Sequence, residues 1–170
     1  MSVVSAKLST NLTLSQTPTS GFLAGQGLII PELLAVAFAN GTGSDAVNLI
    51  SPTTLNLVAS TPQTIDLTSL LDIQGNAVSF SKVQLLLLRN NATTAGFNCT
   101  VGNAASNAFS AIFGATGMVT LYPGTATNPF GGFNIYSIPG NVAAVDSTHK
   151  NLKFDPGSNS FTVDVLIIGQ

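Results

Sequence analysis

Charge is what this sequence has least of. Lys, Arg, Asp and Glu make up 7% of its 170 residues, where roughly 25% is usual for a globular domain. The five basic residues, Lys7, Lys82, Arg89, Lys150 and Lys153, are scattered along the chain. A nucleic-acid surface needs clustered phosphate contacts, so no nucleic acid is expected as a partner. Cysteine occurs once, at Cys99, and tryptophan not at all. A lone cysteine closes no internal disulfide, so the fold does not depend on an oxidising compartment and suits synthesis in a cytoplasm. Long apolar runs are also missing. The uncharged stretch 90–145 is interrupted throughout by Gly, Asn, Thr and Pro and holds no segment of about 18 apolar residues, so no membrane is expected as a partner. The first residues, Met1 to Lys7, lack a basic segment leading into an apolar one and do not read as a secretory signal.

Reactive constellations are equally scarce. The only histidine, His149, follows Asp146 and Ser147 closely. Catalytic triads converge from separate places in a fold, and neighbours on one loop seldom do, so a solvated turn is the expected role. Cys99 alternates with Phe97 and Val101 and so faces the apolar side of a strand, where an inert buried thiol is expected. The carboxylates are Glu32, Asp45, Asp66, Asp72, Asp146, Asp155 and Asp164. They form no calcium-loop spacing and no metal-ligand cluster with His or Cys. The expectation is a non-enzyme, with no catalytic, cofactor-binding or metal residues.

What the chain does have is hydroxyl and amide groups alongside a large apolar fraction. It contains 17 Ser, 19 Thr and 15 Asn, residues that favour strands, turns and loops over helix interiors. Apolar residues reach 45% and mean hydropathy is +0.43, which excludes a disordered chain. So apolar a chain with so little surface charge is expected to be covered by copies of itself or by a larger assembly.

The apolar pattern predicts an all-β single domain of residues 31–170, sandwich- or jelly-roll-like, preceded by an extended N-terminal arm or first strand over 1–30. Within the arm, apolar residues alternate through Val4, Leu8, Leu12 and Leu14. Phe22 and Leu23 lie in its Gly-rich connection. These six are the candidate contacts to a partner or to the next protomer. Segment 31–39 reads equally as a helix opened by Pro31 and Glu32 or as a buried strand. Further on, Asp72 to Asn76 predicts a turn, and Val78 to Arg89 a long strand. Its run Leu85-Leu86-Leu87-Leu88 implies burial on both faces, or one face in the core and the other against a partner. Phe109 to Phe113 is expected as a short strand. Gly131-Gly132 between Phe130 and Phe133 is expected as a strand kink with core aromatics. Asp155-Pro156-Gly157 predicts a hairpin turn into the strictly alternating Phe161, Val163, Val165 and Ile167.

Three stretches, Val78 to Asn90, Val101 to Phe109 and Phe161 to Gly169, resemble the small β-rich virion proteins of tailed bacteriophages, of the head decoration or cement type. The resemblance covers about the last 100 residues and brings no catalytic residue with it. It implies a homotrimeric β-sandwich made in the host cytoplasm that sits on the capsid exterior of the virion. Its partners would be the major capsid protein and itself. A tail- or fibre-associated module that binds a receptor or glycan through loops such as 123–132 is the alternative.

Overall fold

The computed structural model describes residues 6–14, 28–127, 132–138, 140 and 143–170; for residues 6, 8–14 and 28–36 it describes the backbone alone. Among the described residues the strands are β1 (Ala6–Leu14), β2 (Leu28–Asn40), β3 (Ala46–Val47), β4 (Leu49–Leu57), β5 (Gln63–Asp66), β6 (Leu70–Leu71), β7 (Ala77–Val78), β8 (Val83–Asn90) and β9 (Cys99–Gly102). One helical turn, α1 (Ser110–Phe113), follows. The chain then continues with β10 (Met118–Leu121), β11 (Phe133–Ser137), β12 (Asn151–Asp155) and β13 (Phe161–Gly169). The protein is all-β, as expected.

Two four-stranded antiparallel sheets dominate. One, here sheet I, has the order β11-β8-β13-β4, and the other, sheet II, has the order β10-β9-β12-β5. Alternation decides which side chains meet. Leu55 and Leu57 of β4, Leu86 and Leu88 of β8, and Val163, Val165 and Ile167 of β13 join Cys99 and Val101 of β9, Leu121 of β10, and Leu152 and Phe154 of β12 in one buried cluster. Each such side chain contributes roughly 1.5–3 kcal/mol of hydrophobic stabilisation relative to exposure.

Segment 31–39 is strand, lying wholly within β2. β1 pairs with β2 antiparallel, with Leu8 opposite Val36 and Leu12 opposite Ile30, and the register shifts between Thr10 and Leu12. Pro31 falls opposite that irregularity. A residue without an N–H costs no ladder bond at such a point, which explains how a strand tolerates the proline that a helix would have placed in its first turn. The last residues of β2 pair in parallel with β3, Ala39 beside Ala46 and Asn40 beside Val47.

Three expectations are corrected. β12 and β13 are not a hairpin, although Asp155 Oδ1 accepts from Gly157 N–H at 3.0 Å in the turn between them. β12 belongs to sheet II and β13 to sheet I, so this turn carries the chain across the core. Alternation tells which face of a strand is buried and says nothing of its hydrogen-bonded neighbour. Phe109 to Phe113 is no strand. Ser110 to Phe113 close one helical turn, and Gly114, at φ 77°, donates back to the Ser110 carbonyl at 2.8 Å. That positive φ suits glycine at a helix end. Finally, Val78 to Arg89 is broken at residues 79–82, with Phe80 turned into the core at 2% exposure. The Asp72 to Asn76 turn forms as expected: the Asp72 carboxylate accepts from Gln74 N–H, Asn76 N–H and Asn76 Nδ2.

Candidate functional site

Among the described residues, the outer face of sheet I carries a second apolar cluster apart from the main core. Register lines its outward side chains up in rows about 7 Å apart, two residues at a time. The first row is Ser137, Leu85, Ile168 and Ile50. The second is Ile135, Leu87, Leu166 and Pro52, and the third is Phe133, Arg89, Asp164 and Thr54. Phe38 from β2 and Val47 from β3 pack on the first row and bury Leu85 and Ile168. In the second row Ile135, Leu87 and Leu166 remain partly exposed. There Pro52, Thr53, Leu87 and Leu166 line an open cleft of about 300 Å³. A neighbouring cleft of about 450 Å³ shares Pro52 and Thr53 and is closed by the β6–β7 turn. The exposed Leu71 and Ile73 border it. In the third row the face turns polar, with Thr54 Oγ1 donating to Asp164 Oδ1 at 2.7 Å.

The leucine run of β8 therefore divides in two. Leu86 and Leu88 face the main core, Leu85 faces the part of the outer surface under Phe38 and Val47, and Leu87 faces the part left half-exposed among the described residues. The inward column also begins and ends on amides. Gln84 and Asn90 are both fully buried, and each secures loops at its own end of the domain. Gln84 Nε2 donates to the Ser44 carbonyl at 2.8 Å, near Gln170, whose Nε2 holds the Gly43 and Ala46 carbonyls. Asn90 Nδ2 donates to the carbonyls of Phe97 (2.7 Å) and Leu121 (3.1 Å), while its Oδ1 accepts from Ala92 N–H at 2.9 Å.

At the Asn90 end four loops gather: 58–62, 91–98, the described part 122–127 of the β10–β11 connection, and 156–160. Backbone and side-chain bonds tie them together. Ser60 N–H donates to the Gly157 carbonyl, Ala59 N–H to Ser160 Oγ, Asn159 Nδ2 to the Gly96 carbonyl, and Gly124 N–H to the Ala92 carbonyl. Phe97 and Phe161 pack beneath them with ring centroids 6.1 Å apart. Gly132, at φ +41°, lies against the backbone of Tyr122 so closely that an added Cβ would run into the Tyr122 carbonyl. Phe133, expected in the core, is instead 47% exposed on the outer face of sheet I. The kink at Gly132 turns it there, and Phe130 and Gly131 lie outside the described residues.

The six candidate arm residues are not brought into a described surface. Val4, Phe22 and Leu23 lie outside the described residues, as do the side chains of Leu8, Leu12 and Leu14, whose backbone forms part of β1. The docking candidates found instead, Leu87, Leu166 and Pro52, were foreshadowed by the apolar run around Leu87. Their cross-strand alignment needs the register.

The reactive residue types have local roles. Asp146 accepts from Thr148 Oγ1 and Thr148 N–H, both at 2.7 Å, and lies 3.1 Å from His149 Nδ1. The Thr148 hydroxyl, then its amide, then His149 hold the Asp146 carboxyl well below its usual range. All these partners sit on one exposed turn, so no groups converge from separate elements. Asp66 bridges to Lys150 at 2.5 Å, and Asp45 Oδ1 accepts from Gly140 N–H. Partial burial works to raise the Asp66 carboxyl, but bonds from Lys150 and Thr68 outweigh it and lower it. Cys99 is fully buried, and its thiol is pushed up to about 12 by desolvation. Among the described residues no three His, Cys, Asp or Glu side chains gather as a metal would require. No helix among them is long and apolar enough to cross a membrane. No family model, curated protein or solved structure matches the chain.

Proposed function

We propose that this chain is a head decoration protein of a tailed bacteriophage: a jelly-roll β-sandwich that binds the outside of the capsid as a homotrimer and stabilises contacts between capsomers. The observation that carries the reading is the outer face of sheet I, apolar through two rows and covered by Phe38 and Val47 over the first alone among the described residues. An apolar patch bordered by polar groups such as Asp164 and Thr54 is the usual mark of a protein interaction surface.

The topology supports the jelly-roll reading. Counting the eight strands of the two main sheets in chain order, sheet I runs first, eighth, third, sixth, and sheet II runs second, seventh, fourth, fifth. That is the double Greek-key order of jelly rolls, an architecture that includes viral capsid and lectin domains. Fold alone does not assign a function. The low charge adds support, because a subunit held in a lattice gains specificity from shape and apolar burial and needs little long-range steering. A protein that binds only the assembled shell stabilises it by linkage, and many symmetric copies multiply a modest energy per site. The arm 1–30, with Val4, Leu8, Leu12, Leu14, Phe22 and Leu23, is assigned to the capsid or to the neighbouring protomer.

The test is reconstitution. Purified particles should carry on the order of hundreds of copies, as multivalent decoration requires. Adding the protein to stripped heads should raise the temperature at which they open. Leu87→Asp and Leu166→Asp should each weaken that binding while the isolated protein keeps its β-sheet circular dichroism, and deletion of residues 1–20 should weaken it too. Undiminished binding by both face variants would refute the docking surface. A few copies per particle would refute the decoration role.

A further inference from the structure

The loop end of the domain lies opposite the covered part of the outer face. β8 leaves the Phe38 side at Val83 and reaches the loops at Asn90, a span of about 25 Å at roughly 3.3 Å per residue. The four loops there contain no Asp, Glu, Lys, Arg or His over 58–62, 91–98, 122–127 and 156–160. Eight of their exposed residues carry aliphatic hydroxyls, Ser60, Thr61, Thr93, Thr94, Thr125, Thr127, Ser158 and Ser160, and two large side chains stand out, Val58 at 58% and Tyr122 at 63% exposure.

We propose that this end binds neutral polysaccharide. The chemistry narrows the ligand by charge: an acidic polymer would call for Lys or Arg, and a basic one for Asp or Glu. A protein partner would call for a cluster of large apolar or Arg anchors, and the outward groups here are mostly hydroxyls. Hydroxyls both donate and accept, which matches the hydroxyl array of a neutral sugar chain. Among the described residues of these loops, Tyr122 supplies the exposed ring, an apolar face for the C–H side of a pyranose and a phenol that can hydrogen-bond at its edge. Its backbone is braced by Gly132, and Asn90 and the inter-loop bonds hold the segments around it. Loops fixed before binding lose less entropy when they bind. Tyr, Ser, Asn and Gly are also the residues that make adaptable contact surfaces in antibody loops. The inference stands whether or not the Leu87 and Leu166 face meets a capsid.

The experiment is affinity electrophoresis and titration calorimetry of the intact protein against dextran, galactomannan and starch as neutral probes, with alginate and polylysine as charged ones. At least one neutral polymer should retard the protein, and the retardation should persist between about 0.05 and 0.5 M salt, since no charge is involved. Tyr122→Ala should weaken the apparent Kd about tenfold or more. Thr94→Arg, which puts bulk and charge on the neighbouring loop, should do the same. Ile73→Ser, on the exposed β6–β7 turn away from these loops, should leave it unchanged. Retardation by the charged polymers alone, no retardation by any neutral polymer, or retardation indifferent to both loop substitutions would each overturn the proposal.

Discussion

Replacing Asn90 by alanine removes the side chain that joins three segments at the loop end. Its amide gives two hydrogen bonds to the Phe97 and Leu121 carbonyls and takes one from Ala92 N–H, all at a fully buried position. Each buried polar group left without a partner costs about 1–3 kcal/mol. Water entering the vacated space recovers part of that, so the expected loss is about 3–5 kcal/mol, a large share of the roughly 5–15 kcal/mol available to a domain. With a urea slope of about 2 kcal/mol/M, the unfolding midpoint should fall by about 2 M without a change of slope. Asn90→Asp tests the same geometry by sign. An ionised carboxylate there would face two carbonyl oxygens, so folding would raise its pKa. The penalty is then greatest above that folded pKa and shrinks as pH falls toward the ordinary carboxylate range. Asn90→Asp should therefore regain stability from pH 7 to pH 5, and Asn90→Ala should not. The exposed Asn56→Ala serves as control and should stay within about 0.5 kcal/mol of the parent. A midpoint change for Asn90→Ala corresponding to less than about 1 kcal/mol would refute the assignment of Asn90 as the joint of these loops.

Further outcomes follow from the same structure. Leu88→Ala, in the core at 0% exposure, should cost about 2–5 kcal/mol. Leu87→Ala, on the partly open face, should cost clearly less, and equal losses in urea melts would contradict the division of the leucine run. The Asp66 and Asp146 carboxyls are held below their ordinary value of 3.8 in the folded protein. Their contribution is complete above that value and is lost as pH falls through the lowered folded values, so stability should decline below about pH 4. Asp66→Asn should flatten that decline, measured as urea midpoints at several acidic pH values. Cys99, buried with its thiol pushed up to about 12, should react with a disulfide reagent at pH 8 only as fast as the protein opens. Labelling faster than the unfolding rate would contradict its burial.

Much of the strand inventory was legible in the sequence because period-two alternation marks a half-buried strand directly. Phe161, Val163, Val165 and Ile167 were placed correctly, as was the turn at Asp72 to Asn76. Partnership was not legible. The Asp155-Pro156-Gly157 turn has the chemistry of a hairpin, and no local feature distinguishes a turn within a sheet from one that crosses between sheets. Segment 31–39 stayed ambiguous because a continuous apolar run suits either period; pairing with β1 makes it strand. Phe109 to Phe113 misled because its aromatics bracket residues that close a helical turn at Gly114. At the candidate surface, the run Leu85 to Leu88 signalled two apolar faces, whereas the row Ile135, Leu87, Leu166 and Pro52 draws on four strands far apart in sequence. Of the loop end, the sequence offered the loop 123–132 as a glycan-binding alternative and the absence of charge over 90–145. Its assembly from four loops depends on the topology.

The position of β13 has a consequence for biosynthesis. Residues 161–169 fill the slot between β8 and β4 at the centre of sheet I. Translation delivers segments in order, at about 5–20 residues per second, so β4 and β8 emerge well before their common neighbour. Until β13 leaves the ribosome, both strands present unpaired edges beside leucine-rich surface, the condition under which nascent chains pair wrongly with one another. Completion of the domain is therefore tied to delivery of its last strand. A chain stopped short of residue 161 should accumulate as aggregate and leave no smaller folded unit.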